Sequence, residues 1–209
     1  LQPILFDPSL AAKKVSLDST RDLVAQSAVN FYEGVTQAEV EAYYAKMTGK
    51  NDPAPISYGL NTRVVKKDGK VVEEVASVAG MYGPAIEKIV FWLEKASRVA
   101  ENDLQRKVIE KLIEYYRTGD LKQFDEYNIL WVQDTDSAVD LTNGFIEVYE
   151  DPLGYRGSYE SLVSFRDNEA SKRIAALSDG EHREDCARTR IRHRQLVEAV
   201  LGMIGALEQ

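Results

Sequence analysis

Apolar positions recur at helical spacing over most of the first two thirds of the chain, then alternate with polar ones between residues 140 and 165. Leu23, Val24, Ala28 and Phe31 predict a helix over residues 19–31, closed by Gly34. Thr36-Gln37-Ala38-Glu39 has the form of a capping box, and Val35 and Val40 flank it as a hydrophobic staple, so a second helix runs to about Met47. Residues 48–55 form a loop, because Pro53 and Pro55 fix backbone angles and remove donors. Val64-Val65 and Val71-Val72 flank Asp68-Gly69, a pair that tolerates the positive φ angles of a type I′ turn; strands follow at residues 61–67 and 70–75.

Pro84 stands at a first helical position, followed by Ile86, Ile89, Val90, Leu93 and Ala100 on one face. Leu104, Val108, Leu112 and Tyr115 form a second stripe that ends at Gly119, which predicts an antiparallel helix pair. A short helix capped by Asp120 carries Leu121 and Phe124, and three extended segments follow at residues 128–133, 143–149 and 159–165. Asn168 caps a helix through Leu177, and Ser178-Asp179-Gly180 breaks it. Helices, a hairpin, a helix pair and then consecutive strands give an α+β class.

With 209 residues, 44% of them hydrophobic, the chain fits one domain or one domain with an appendage. A net charge of -8 disfavours binding to nucleic acid as a whole. Residues 199–207 are the longest apolar stretch, too short to span a bilayer, so no membrane partner is expected. The single Cys186 makes no internal disulfide, which fits a reducing, cytoplasmic setting and also a secreted protein without bridges; the start at Leu1 reads as a cut from something longer.

Only two histidines are present, and His182, Cys186 and His193 fall within roughly 40° of one face of a continuous helix. Spread over nearly three turns, they do not meet at one ion, and at most His182 and Cys186 form a chelating pair. Neither a catalytic residue nor a metal ligand is therefore assigned. The arginines at 183, 188, 190, 192 and 194 are diluted by acids and read as a solvated helix face.

Beyond such spacing rules lies a longer pattern: Asn143-Gly-Phe-Ile-Glu-Val-Tyr-Glu-Asp-Pro-Leu-Gly154, with Ser57-Tyr58-Gly59-Leu60-Asn61-Thr62-Arg63, Tyr82-Gly83-Pro84, residues 129–134 and Gly157-Ser158-Tyr159-Glu160. Together these resemble the lower lobe of the dipeptidyl peptidase III family, zinc peptidases that remove dipeptides from peptide N-termini. The resemblance runs in order from about Asn30 to Ile174. The family's His-Glu-x-x-Gly-His zinc helix occurs nowhere in the 209 residues. The resemblance therefore implies a peptide-binding lobe at residues 1–178, inactive alone, followed by a helical tail at 179–209. Its fold would be a barrel of about five strands wrapped by helices. No cofactor is expected in this chain; zinc belongs to the complete enzyme, and the partners are short peptides and the zinc-bearing lobe.

Four positions before Gly144 the family places a glutamate that anchors the peptide ammonium; Asp140 stands there, one methylene shorter. Thr142 stands where animal members carry a tyrosine near the reacting carbonyl. The resemblance adds Asn143 and Glu147 to the substrate-binding set, and Tyr58 and Asn61 through an edge at 57–61 able to pair with extended peptide. Glu147 reads equally as a solvated strand residue or a structural ion pair, and residues 57–61 as an ordinary strand. Two other functions remain: a non-catalytic peptide- or protein-binding module derived from the family, and a structural domain whose tail mediates association.

Overall fold

The computed structural model describes residues 15–47 and 55–180. Their elements are α1 (Leu23–Gln26), β1 (Tyr32–Glu33), α2 (Gln37–Tyr44), β2 (Thr62–Lys67), β3 (Lys70–Val75), α3 (Gly83–Arg98), α4 (Asp103–Thr118), α5 (Leu121–Gln133), β4 (Val139–Glu147), β5 (Ser158–Phe165) and α6 (Asn168–Gly180). The described residues within Leu1–Gln133 and Phe145–Ser158 form one compact unit, and those within Asp134–Gly144 and Tyr159–Gln209 form another.

In the first unit, the order β1-β2-β3 makes a small mixed sheet. β1 lies parallel to β2, with Tyr32 opposite Val64, and β2 pairs antiparallel with β3 from Thr62↔Val75 to Lys67↔Lys70. The turn between them has Asp68 at φ 50° and Gly69 at φ 74°, the left-handed pair that the sequence predicts. The α2 capping box is complete: Thr36 Oγ1 accepts from the Glu39 amide, and Glu39 Oε2 accepts from the Thr36 amide. Val35 and Val40 then bury against Tyr44 and Val64, which seats α2 on the sheet.

The helix pair is also as expected. α3 starts with Pro84 in its first turn and buries Ile86, Val90 and Leu93; α4 buries Val108, Ile109, Leu112 and Ile113, and ends at Gly119 with φ 73°. Any side chain at Gly119 would strike Val75 Cγ1 at 2.4 Å, so the helix stop and the end of β3 are packed on each other.

Three expectations require correction. The helix over 19–31 shrinks to one turn, α1, because Asp22 caps Ala25 and also accepts from the Gln37 amide, while Gln37 Oε1 accepts from Leu23. Ser27 is extended, the chain bends at residues 30 and 31, and Tyr32 joins the sheet. Residues 128–133 are helical: α5 continues from Asp120 to Gln133, since Phe124 and Tyr127 fall on one buried face three residues apart. Contiguous Ile129-Leu130-Trp131-Val132 resembles a strand run, but Ile129 and Val132 are 59% and 67% exposed, as on the outer side of a helix.

The third correction concerns the barrel. The five strands form two open sheets, β1-β2-β3 and β4-β5, and no closed barrel exists among the described residues. β1 is only two residues long, and beyond β3 pairing is limited to the single bridge Ala76↔Met81. Too little backbone is left in register for closure.

In the second unit, β4 and β5 pair with each other. Arg166 donates to the Ala138 carbonyl at one end while Asn143 reaches Ser161 further in, so the two strands run antiparallel. α6 is capped by Asp167 rather than Asn168: its Oδ1 accepts from the Glu169 and Ala170 amides, and the helix continues through Ser178-Asp179-Gly180. His182, Cys186, His193 and the arginine-rich segment lie outside the described residues, as does all but the start of the 179–209 tail. No helix among the described residues is long and apolar enough to cross a membrane.

Candidate functional site

β4 carries most of the residues that the sequence marks for peptide binding. Side chains alternate along a strand, so within the second unit Leu141 and Asn143 share one face of β4 and Asp140 and Thr142 the other. Asn143 and Phe145 are each 4% exposed. The Asn143 amide donates to Tyr159 Oη at 3.1 Å and to Ser161 Oγ at 2.7 Å, which ties the strand pair together on that face. Asp140 is half-buried on the opposite face, and its Oδ1 accepts from the Leu141 amide at 2.8 Å. Asp140 and Asn143 thus belong to the second unit but not to one surface. Glu147, half-buried, belongs to the first unit.

Tyr58 and Asn61 also lie in the first unit, where residues 58–60 form a turn rather than a strand edge. Gly59 takes φ 92°, and a Cβ there would meet Tyr44 Oη at 2.7 Å; a sharp turn packed on an aromatic ring replaces the extended segment. Tyr58 packs against the cluster of Val35, Val40, Tyr44 and Val64. Asn61 is 1% exposed and donates through Nδ2 to the Gly119 carbonyl at 3.0 Å. Its side chain links the start of β2 to the end of α4.

The residues after β4, which the sequence marks only as the end of the 143–154 motif, form a densely hydrogen-bonded polar centre in the first unit. Asp151 is 4% exposed and accepts from Tyr32 Oη at 2.7 and 2.8 Å, and from the amides of Leu153, Tyr155 and Arg156 at 3.0, 2.8 and 2.7 Å. Burial first, and then the Asp151 charge, pushes the Tyr32 hydroxyl pKa upward.

Arg156 follows at 6% exposure, its guanidinium 4.6 Å from the Phe145 ring centroid and 5.6 Å from that of Phe31, with Nη1 donating to the Leu60 carbonyl at 3.1 Å. The Gly157 amide donates to the same carbonyl at 2.8 Å. The Asp-Pro-Leu-Gly motif and the Tyr-Gly-Leu-Asn motif, far apart in sequence, therefore clamp each other. The sequence carries no signal for Arg156, because no spacing rule marks a buried arginine held by rings, and it does not show that Asp151 is buried.

A second carboxylate, which no motif or spacing marks, is Glu73. Its Oε1 accepts from Tyr44 Oη at 2.7 Å and Thr62 Oγ1 at 2.8 Å, and Tyr44 stacks on Tyr155 with centroids 4.3 Å apart. Burial, followed by the Glu73 charge, raises the Tyr44 pKa.

Zinc does not fit the donors that are described: no group of three or more His, Cys, Asp or Glu side chains converges among them. No chemical step is therefore assigned to a metal here. The second unit supplies strand backbone and a half-buried carboxylate at Asp140; the first supplies, separately, the hydrogen-bonded loop at 151–157.

Against known proteins, the chain is 33% identical over 98 residues to dipeptidyl peptidase 3 of Rattus norvegicus and 34% over 98 residues to that of Homo sapiens, a match covering 47% of this chain and 13% of each relative. Among solved structures it is similar to DPP III from Caldithrix abyssi, with TM-score 0.55 and 22% identity over 71% of this chain and 27% of that one, a likeness of fold. It is also similar to dipeptidyl-peptidase III from Corallococcus sp. strain EGB, with TM-score 0.53 and 26% identity over 73% and 27%. The chain thus spans about an eighth of the length of these curated relatives. A sequence profile of peptidase family M49 matches residues 24–183, three quarters of the chain, and takes in the Tyr-Gly-Leu-Asn turn, the helix pair and the whole of β4 and its loop: the chain belongs to peptidase family M49.

Proposed function

We propose that this chain is the peptide-binding lobe of a dipeptidyl peptidase III-type zinc peptidase, which releases dipeptides from peptide N-termini once the zinc-bearing lobe is present. The observation that supports this reading is the M49 match, which runs across β4; by the resemblance read from the sequence, Asp140, four positions before Gly144, stands where the family carries its ammonium anchor. A carboxylate suits a free α-amino terminus because a charge-assisted hydrogen bond is stronger than a neutral one. The structural roles of Asn61 and Asn143 leave Asp140 as the principal recognition group, with Glu147 and Tyr58 contributing at most to the shape of the lobe.

By itself the lobe binds short peptides weakly and does not turn them over. Its substrates enter as extended chains, and the zinc-bearing lobe is its macromolecular partner. A lone Cys186 fits action in the reducing cytoplasm. Chemical-shift titration with an unblocked tetrapeptide tests the binding assignment. Shifts are expected to concentrate on residues 139–142 of β4, and a response confined to the α3–α4 helix pair would contradict it.

A further inference from the structure

Three buried polar atoms of the first unit have no hydrogen-bonding partner in the protein: Asn61 Oδ1, Tyr115 Oη and Arg156 Nε. They come from the start of β2, from α4 and from the loop before β5, yet they share one locality. The Tyr115 hydroxyl is close enough to the Arg156 guanidinium and the Asn61 side chain for each to lower its pKa, although no hydrogen bond of ordinary length joins them, and Arg156 Nη1 donates to the carbonyl of Leu60, the residue next to Asn61. Their residues are 1%, 0% and 6% exposed, so bulk solvent does not satisfy them. Buried polar groups without partners are rare because each forfeits its hydration.

The chemistry of the three atoms selects the ligand. Asn61 Nδ2 donates to the Gly119 carbonyl at 3.0 Å, which fixes the amide orientation, since a flip would set oxygen against oxygen. Oδ1 is therefore an obligate acceptor. Arg156 Nε–H is an obligate donor, and the Tyr115 hydroxyl serves either way. An anion satisfies the arginine but is repelled by Oδ1, and a metal cation is repelled by the guanidinium. A neutral molecule that both donates and accepts meets all three, and a buried water typically makes about three such bonds.

We infer that one internal water molecule is bound at this point, accepting from Arg156 Nε–H and Tyr115 O–H and donating to Asn61 Oδ1. It joins the 151–157 loop to β2 and α4, and completes the clamp between the Asp-Pro-Leu-Gly and Tyr-Gly-Leu-Asn motifs. The site stands apart from the peptide-binding proposal and holds whether or not the chain binds peptides.

A high-resolution crystal structure of the chain, with a parallel bromide soak, tests it. The expected result is a single density peak within hydrogen-bonding distance of all three atoms, without anomalous signal after the soak. An anomalous peak there identifies a halide site and overturns the inference, as does absence of density or direct pairing of the three side chains. Tyr115→Phe keeps the ring and removes one partner, so the peak is expected to persist on Arg156 and Asn61 at reduced occupancy; an unchanged peak removes Tyr115 from the site. Should that variant fail to crystallise, a water-selective NMR cross-peak at Arg156 Nε–H of the wild-type chain decides, its absence overturning the inference.

Discussion

Asp151 shows how much work one side chain does in this fold. Both of its oxygens are engaged, by a tyrosine hydroxyl and three backbone amides, all of them donors. Asp151→Asn places an N–H against at least one of these donors and should destabilise the chain by about 3 kcal/mol, whereas Tyr32→Phe removes a single donor and should cost about 1 to 2 kcal/mol. Urea denaturation measures both, and equal losses would contradict a hub centred on the carboxylate. The tyrosines give a separate signature. Tyr32, Tyr44 and Tyr115 have pKa values raised above the ordinary 10.0, chiefly by burial. The unfolded chain releases these protons first, so their contribution to stability is complete below about pH 10 and is lost as the pH climbs above it. Because the chain has 11 tyrosines, some of them exposed, the share of tyrosinate absorbance lost on replacing Tyr32, Tyr44 or Tyr115 with Phe is the readout: that share should appear together with unfolding, and its appearance in a still folded chain would show these rings to be accessible. At this scale the sequence was legible where a residue acts on its neighbours, as Thr36 does on Glu39. It did not show the buried roles of Asp151, Arg156 and Glu73, which rest in part on partners 119, 96 and 29 positions away.

Turns and caps carried the readable part of the element scale. The Asp68-Gly69 hairpin and the α2 capping box form as local chemistry dictates, since both are closed by residues a few positions apart. Two glycines separate local strain from packing. A Cβ at Gly69 meets nothing within 4 Å, so Gly69→Ala should cost only the left-handed strain of about 1 kcal/mol. Gly59→Ala adds a collision with the Tyr44 ring at 2.7 to 2.9 Å and with Tyr155 Cβ at 3.0 Å, and should cost at least about 3 kcal/mol. Thermal melts of the two variants check the order, and similar shifts would mean that Tyr44 yields freely. The misread elements share one cause: the hydrophobic run at 129–132 is ambiguous in period, and the stripe at 23–31 is overruled by the contacts between Asp22 and Gln37. Tertiary partners decided both.

For the whole molecule, M49 membership was legible because residue order in the 143–154 motif is more specific than periodicity. The barrel implied by that resemblance does not close among the described residues, whose strands form two open sheets, as strand count does not determine closure. Of the candidate site, the structure keeps Asp140 half-buried on β4, while Asn61 and Asn143 serve internal bonds. The proposed division of labour, with binding here and metal chemistry on another lobe, predicts no dipeptide release from a chromogenic dipeptidyl substrate by this chain, with or without added zinc. Zinc-dependent turnover that a chelator abolishes would contradict the division.

The most direct test of peptide binding at Asp140 is calorimetry of the wild-type chain and Asp140→Asn with one short peptide, free or acetylated at its N-terminus. The free peptide should bind the wild type weakly, at about millimolar Kd, because so few contacts offset the cost of association. Acetylation and Asp140→Asn should each weaken binding by roughly 1 to 3 kcal/mol and should not add, since they remove the same charge-assisted hydrogen bond. Equal affinities for free and acetylated peptide, unchanged by Asp140→Asn, would leave Asp140 a structural carboxylate and contradict the account.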